Sequence, residues 1–131
     1  MIQVESQLKV VDNSGAKWAK CVLIKKKGKY PIATVGMFVL VTVKKFSHRK
    51  KVNKKTMYIG LIVSVNFWIS RLDGTFIKFF SNRLLLFNKQ FKFLGTRIYG
   101  SISKELKVAS LNEKKNKTYF QKIFSYSSNI I

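Results

Sequence analysis

Residues 58–87 read YIGLIVSVNFWISRLDGTFIKFFSNRLLLF, and this stretch decides the fold class. Its two apolar runs, Tyr58 to Val65 and Leu84 to Phe87, have the length and composition of β-strands. Between them, Asp73-Gly74 separates Trp68-Ile69 from Phe76-Ile77, and an Asp-Gly pair between apolar residues is a strong signal for a β-hairpin. A strand, a hairpin and a second strand in so short a span indicate an all-β domain.

The sequence before this stretch continues the pattern of short strands. Residues 2–10 alternate between apolar and polar, and Ala19 to Ile24 and Val35 to Val43 are further strand candidates. Asp12 to Gly15 is a turn cluster, because Asx side chains bond their own backbone and Gly permits positive φ. We expect this cluster and Asp73-Gly74 to be tight turns that fix strand register, with Gly74 at positive φ. Many short strands and a single Pro favour a small closed β-barrel.

Helical patterning is confined to the carboxy-terminal part of the chain. Ser103 can cap a short helix that continues through Leu106 and Ala109. Leu111 to Thr118 is polar and Lys-rich and is predicted as a loop, and Tyr119 to Tyr126 is predicted as a short helix or a strand. No internal repeat or domain boundary is evident, so residues 1–131 are predicted to form one domain.

The charge balance is far from neutral. Twenty-six Lys and Arg residues face five acids, which gives a formal net charge of +21. A compact domain with this charge repels itself and is usually bound to a polyanion, with nucleic acid the first candidate and an anionic membrane surface the second. The apolar runs are far shorter than the roughly 20 residues of a membrane-spanning helix. The Lys clusters at 25–29, 44–55 and 114–117 fall in predicted loops and favour contact with phosphates.

Catalysis has little support in the sequence. His48 is the only His and lies among cationic residues, and Cys21 is the only Cys and lies in a strand candidate, where a buried residue is expected. A catalytic triad, a carboxylate pair or a zinc site needs more His, Cys and clustered acids than this chain has. We therefore predict a non-enzymatic protein without a cofactor or a metal. Composition leaves three classes open: an oligonucleotide-binding barrel, a ribosomal protein and a chromatin-type protein.

Three separated motifs resemble the universal L-fourteen family of large-subunit ribosomal proteins. The first is Met1-Ile2-Gln3 with the turn Asp12-Asn13-Ser14-Gly15-Ala16. The second consists of Gly60-Leu61-Ile62-Val63, Asp73-Gly74, Phe79, Asn82 and Leu85-Leu86. The third is Gly95 to Gly100 followed by Lys104-Glu105-Leu106. All three stand in the family's order and with similar spacing.

The resemblance implies an all-β fold, a small closed five-stranded β-barrel with a protruding β-hairpin and short C-terminal helices. It implies a structural constituent of the large ribosomal subunit that binds large-subunit rRNA directly. It further implies a place at the subunit interface, contact with small-subunit rRNA at an intersubunit bridge, neighbours of the L-three and L-nineteen families, and a surface that a ribosome-silencing factor can occupy. The alternative is a free single-stranded nucleic-acid-binding barrel.

Under this resemblance, cations of the loops and motifs are predicted to bind rRNA, mainly through its phosphates and therefore with strong salt dependence. These residues are Lys17, Lys25, Lys26, Lys27, Lys29, Lys44, Lys45, Arg49, Lys50, Lys51, Lys54, Lys55, Arg71, Lys78, Arg97 and Lys104.

Two regions depart from the family's pattern. Residues 107–131 are predicted to be a divergent C-terminal extension with an inserted basic loop near 111–119. The hairpin, basic in the family, has Phe67 and Trp68 beside its turn, and only Arg71 keeps a charge. Because an exposed hairpin rarely leaves adjacent aromatic residues uncovered, we predict that Phe67 or Trp68 packs against a neighbouring protein. Base stacking, and core packing of one of the two rings, are the alternatives.

Amino-acid usage indicates the genome rather than the fold. Lys far outnumbers Arg, and residues with AT-rich codons outnumber those with GC-rich codons. The chain begins where the family's mature proteins begin, without a signal peptide. We predict the mitochondrial matrix, in the mitochondrial ribosome, with a plastid or the cytoplasm of an AT-rich bacterium as alternatives.

Overall fold

The computed structural model describes residues 1–25, 31–47, 52–53, 55–112 and 117–131. The strands in these segments are β1 (Gln7–Val10), β2 (Ala16–Ile24), β3 (Phe38–Phe46), β4 (Met57–Ser64), β5 (Ile69–Ser70), β6 (Phe76–Ile77), β7 (Arg83–Phe87), β8 (Ile98–Ile102) and β9 (Ser127–Ile130). The helices are α1 (Glu105–Asn112) and α2 (Lys117–Tyr126).

Five strands close into a barrel in the order β1-β2-β3-β4-β7. The neighbours pair antiparallel, except that β1 and β7 pair in parallel and so complete the ring. Alternate residues of the strands fill the interior, among them Leu8, Cys21 and Val41. The predicted closed five-stranded barrel is therefore confirmed, and so is the burial of Cys21, whose thiol has its pKa raised by desolvation.

β4 and β7 are buried on both faces, which explains why their sequences are continuous apolar runs rather than alternating ones. Ile62 and Leu84 point into the barrel. Leu61 and Leu85 point the other way, into a second apolar layer built with β8, α1 and α2. The C-terminal helices thus cover one side of the barrel, where Phe120 of α2 also contacts Phe38 at the start of β3.

The hairpin β5-β6 projects as a separate two-stranded ladder. Gly74 at its tip has φ +82°, so the expectation of a positive φ there is confirmed. Asp73 Oδ1 accepts hydrogen bonds from the backbone N (3.0 Å) and the hydroxyl (2.6 Å) of Thr75. These bonds hold the pKa of Asp73 below its usual value.

The first turn is also tight, and it is fastened to the barrel wall. Gly15 has φ +103°. Asp12 Oδ1 accepts from the backbone N of Ser14 (2.9 Å), and Oδ2 accepts from the backbone N of Leu86 on β7 (2.8 Å). Burial raises the pKa of Asp12, and the hydrogen bonds from Ser14 and Leu86 oppose that rise. Asp12 therefore fixes the β1-β2 turn against β7.

The strand predictions differ from the structure at their ends. The predicted alternation over residues 2–10 is a strand only from Gln7; Ile2 forms a single bridge to Ala33. β3 begins at Phe38 rather than Val35, because Gly36 at φ +85° lies in a turn. It also continues to Phe46, into the Lys cluster at 44–55 that is predicted as a loop.

The C-terminal part holds a strand that sequence patterning did not predict. Residues 119–126, predicted as a helix or a strand, belong to helix α2. The next residues form β9, which pairs in parallel with β8. The predicted loop at 111–118 is shorter than expected, since α1 extends to Asn112 and α2 begins at Lys117; residues 113–116 are outside the described part. No helix in the described segments combines the length and apolar character required to cross a membrane.

Candidate nucleic-acid interface

Four of the five acids lie in the described residues, and each is already engaged within the chain. Their donors are Lys20 for Glu5, Ser14 and Leu86 for Asp12, Thr75 for Asp73, and Arg71 and Ser103 for Glu105. None of these carboxylates pairs with the exposed lysines of the barrel face. The positive charge of that face is therefore not compensated by the described residues and favours an external polyanion.

A row of outward side chains crosses the barrel where it carries this charge. The strand register places Lys9 of β1 opposite Trp18 of β2, and Trp18 opposite Lys45 of β3. Arg83 of β7 lies on the other side of Lys9. Because neighbouring strands are about 4.8 Å apart, Lys9 and Lys45 flank Trp18 across about 10 Å. We call these four residues the cationic row.

A β-bulge makes this face denser in charge than a regular strand would be. The β2-β3 register shifts on both sides of Trp18. Lys17 and Trp18 are consequently both exposed, although they are consecutive, and Lys44 and Lys45 are both exposed on the facing strand. Lys17 and Lys44 thus join the cationic row in surrounding Trp18 with lysines.

The remaining predicted rRNA-binding cations are dispersed. Lys25, Lys55, Lys78, Arg97 and Lys104 are exposed at separate loops and strand ends. Seven others lie outside the described residues: Lys26, Lys27, Lys29, Arg49, Lys50, Lys51 and Lys54. The structure therefore brings together Lys17, Lys44 and Lys45, and RNA contact by any member of the predicted set stays a prediction.

Comparison with known proteins identifies the family. A family model described as "Ribosomal protein L14p/L23e" matches residues 1–131, the whole chain. The chain belongs to this family. One relative, "Large ribosomal subunit protein uL14" of Carsonella ruddii (strain PV), is 37% identical over 131 residues, which cover all of both chains.

The predicted resemblance to the L-fourteen family is thereby confirmed. As a member of this family, the chain is a structural ribosomal protein and not an enzyme, as the sequence predicted. Its function therefore depends on the surfaces that bind other molecules. Two exposed regions stand out, the cationic row on the barrel and the aromatic hairpin.

Arg71, the one cation left in the hairpin of this L-fourteen protein, is engaged internally. Its Nε donates to Glu105 Oε1 at 2.6 Å, and an Nη2 hydrogen bond of 2.8 Å reaches the backbone O of Ile131. Burial raises the pKa of Glu105, but the hydrogen bonds from Arg71 and Ser103 outweigh it and leave that pKa below its usual value. Arg71 therefore ties the hairpin to α1 and to the chain end, which leaves its guanidinium less available to a phosphate.

The hairpin aromatics are exposed: Phe67 by 47% and Trp68 by 60%. Neither ring is in the barrel core, so the core alternative for one of them is wrong. Lys78 Nζ lies 5.9 Å from the centroid of the Trp68 ring. Together with Leu72 and Val108 of α1, the two aromatics line a groove of about 780 Å³ between the hairpin and the helix.

Sequence reasoning missed Lys9, Trp18 and Arg83. Lys9 had a usable signal, since it alternates with the buried Leu8 and Val10. Trp18 fell in the unassigned interval between the first turn and the predicted start of the next strand. Only the strand register, with its bulge, shows that these residues are neighbours.

Proposed function

We propose that this chain is the L-fourteen protein of a large ribosomal subunit and binds large-subunit rRNA directly through lysine contacts to phosphate. The family match over the whole chain supports the subunit assignment, and so does the 37%-identical large-subunit protein of Carsonella ruddii. The observation that carries the RNA proposal is the uncompensated positive face around Trp18, in a chain of net charge +21. Phosphate contacts position a protein without reading base sequence, which suits a structural role.

The finer contacts follow from the family. The protein lies at the subunit interface, touches small-subunit rRNA at an intersubunit bridge, and neighbours proteins of the L-three and L-nineteen families. A ribosome-silencing factor can occupy the same intersubunit surface.

Sedimentation tests the main proposal. Affinity-tagged protein in a native extract should comigrate with large subunits on a sucrose gradient and leave them only at high salt. Crosslinking within the same fractions should join the chain to large-subunit rRNA. If the chain stays at the top of the gradient while binding oligonucleotides, the alternative of a free single-stranded nucleic-acid-binding barrel replaces the proposal.

We also retain the hairpin as a protein-binding site. Phe67 and Trp68 are exposed at the edge of a groove that also holds Leu72 and Val108, and Arg71 there is already paired with Glu105. One exposed cation, Lys78, lies beside the Trp68 ring. Because apolar side chains predominate in this groove, we favour a protein surface over a phosphate as its partner. Subunits assembled with both aromatics replaced by Ser should lose one neighbouring protein by mass spectrometry. Unchanged subunit composition would contradict this site, and the variant Phe76→Ser on the same hairpin provides the control.

The compartment is an organelle, with the mitochondrion ahead of the plastid, or the cytoplasm of a bacterium. The excess of residues with AT-rich codons supports the mitochondrial ribosome predicted from the sequence. It equally supports an AT-rich bacterium. The 37%-identical relative from the bacterium Carsonella ruddii favours the second. Mapping the gene to an organelle genome or to a bacterial chromosome decides between them. A nuclear gene with a cleaved precursor would contradict both.

A further inference from the structure

Trp18 is placed unlike an ordinary strand residue. It is a large aromatic residue, 39% exposed, on the outer face of a closed barrel. Its two cross-strand neighbours, Lys9 and Lys45, are both exposed lysines. An exposed ring flanked by cations differs from an apolar patch, because the cations repel a second basic protein and attract phosphates.

The neighbouring carboxylate does not change this balance. Glu5 forms an ion pair with Lys20, which lies two residues along β2 from Trp18. That pair leaves Lys9, Lys17, Lys44 and Lys45 without a described acidic partner. Single-stranded nucleic acids are bound by this combination, a positively charged surface that follows the backbone and an aromatic ring on which a base stacks.

We propose that Trp18 stacks on one unpaired base of the RNA, while Lys9 and Lys45 bind the phosphates on either side of that nucleotide. This inference rests on the proposed rRNA binding and specifies one of its contacts. The bulge at Trp18 turns the ring and Lys17 outward together, so that a cation stands beside the ring along the strand as well as across it. The proposed ligand is an unpaired nucleotide. The experiment below distinguishes it from a protein segment bound at the same place.

Fluorescence of the full chain measures the contact directly. Trp18 and Trp68 are the two tryptophans, so the Trp68→Phe variant leaves Trp18 as the single tryptophan emitter. Titration with a 12-nucleotide single-stranded RNA should quench that emission, since the stacked base contacts the indole. An abasic oligonucleotide of the same length and charge should bind more weakly and quench little.

Substitutions then separate stacking from charge. Trp18→Leu should weaken binding of the base-bearing oligonucleotide by about five-fold to a hundred-fold, the range for loss of one stacked base, and should leave abasic binding nearly unchanged. Trp18→Phe should recover most of the loss. Lys9→Gln should weaken both ligands and reduce the log–log salt slope by about 0.7, as expected for one phosphate on a single strand. Thermal melting of each variant checks that the barrel is folded, and Trp68→Leu is the matched control.

Two results would overturn the inference: equal loss of both oligonucleotides in Trp18→Leu, or a photocrosslinker at position 18 that captures a protein rather than RNA in assembled subunits. Failure of the proposed function looks different. In that case the wild-type chain does not sediment with large subunits, although the Trp18 emission of the Trp68→Phe variant is still quenched by the oligonucleotide. If the chain sediments with subunits and Trp18 emission is unquenched there, the stacking site fails while the ribosomal assignment stands.

Discussion

The two tryptophans of this chain are both exposed, yet their surroundings differ in charge and in rigidity. Trp18 lies on the wall of a closed barrel among lysines that have no described acidic partner. Trp68 lies beside a two-stranded hairpin whose arginine is already paired with Glu105, and a single exposed lysine, Lys78, stands over its ring. An exposed aromatic residue therefore does not by itself indicate whether its partner is RNA or protein. The charges around it, and whether they are already satisfied, decide between RNA and protein.

Rigidity separates the two regions as well. The Trp18 face is held by ladders on both sides of β2, so that no single side-chain contact supports it. The hairpin has two ladder pairs of its own, and Arg71 is its link to α1 and to the chain end. We call the Arg71–Glu105 ion pair the hairpin tether. We expect substitutions in it to change the environment of Trp68 and to leave that of Trp18 unchanged.

Salt provides the largest expected effect. If six to ten phosphates are neutralised, affinity for a large-subunit RNA fragment should fall by about 10³- to 10⁵-fold between 50 and 200 mM salt. The double variant Lys44→Gln with Lys45→Gln should reduce the log–log slope by about 1.4 to 1.8, because two phosphate contacts are lost. Filter binding over a salt series measures both.

The control for that prediction is Lys89→Gln with Lys92→Gln, an equal change of charge at exposed positions after β7. Its slope should remain close to that of the wild type. Equal slopes for the two double variants would show that positive charge acts from the whole surface. The Trp18 face would then not be a distinct RNA-binding region.

The sequence predicts the barrel well and the cationic row poorly, for a physical reason. Barrel strands depend on local apolar patterns, such as Leu84 to Phe87, and on turn residues, such as Gly15, whose conformation is dictated by their own chemistry. The row depends on long-range register: Lys9, Trp18 and Lys45 are neighbours because of pairing across three strands. The bulge at Trp18 also breaks the alternation that would have identified its exposed face.

Asp12→Asn tests the rigid region and should destabilise the barrel by about 1–3 kcal/mol. The two carboxylate oxygens accept from different backbone groups, Ser14 and Leu86, and an amide can satisfy only one of them, which leaves a buried N–H without an acceptor. Urea denaturation at pH 7 measures the loss. A change within a few tenths of a kcal/mol would show that the turn is not fastened to β7 as described.

The hairpin tether should have a smaller effect and a defined pH dependence. Glu105→Gln should cost about 1 kcal/mol, because the charged hydrogen bond to Arg71 is partly exposed to solvent. The pKa of Glu105 is lowered in the folded state, so its contribution is complete above its unfolded value, near 4.5, and is lost as the pH falls through the lower folded value. The raised pKa of Asp12 acts in the opposite direction, since ionising Asp12 costs stability as the pH rises.

Denaturation of the wild type and of Glu105→Gln at several pH values between 3 and 7 isolates this contribution. The difference between the two proteins should shrink towards zero at the acid end. In the Trp68→Phe background, Trp18 quenching by RNA at pH 7 should be the same with and without Glu105→Gln. A difference that stays constant with pH would assign the effect to packing rather than to the ion pair.

The smallest expected effect is at the hairpin tip. A Cβ added at Gly74 would have nothing within 4 Å, so Gly74→Ala carries only the strain of a φ of +82°, about 1 kcal/mol. Gly36 is the matched control: its φ is +85°, and a Cβ there would overlap that of Ala109 on α1, so Gly36→Ala should cost distinctly more. Urea denaturation of the two variants measures the difference. Equal losses would mean that the tip of the hairpin is packed rather than open, and Trp68 would then no longer stand on the less rigid of the two surfaces.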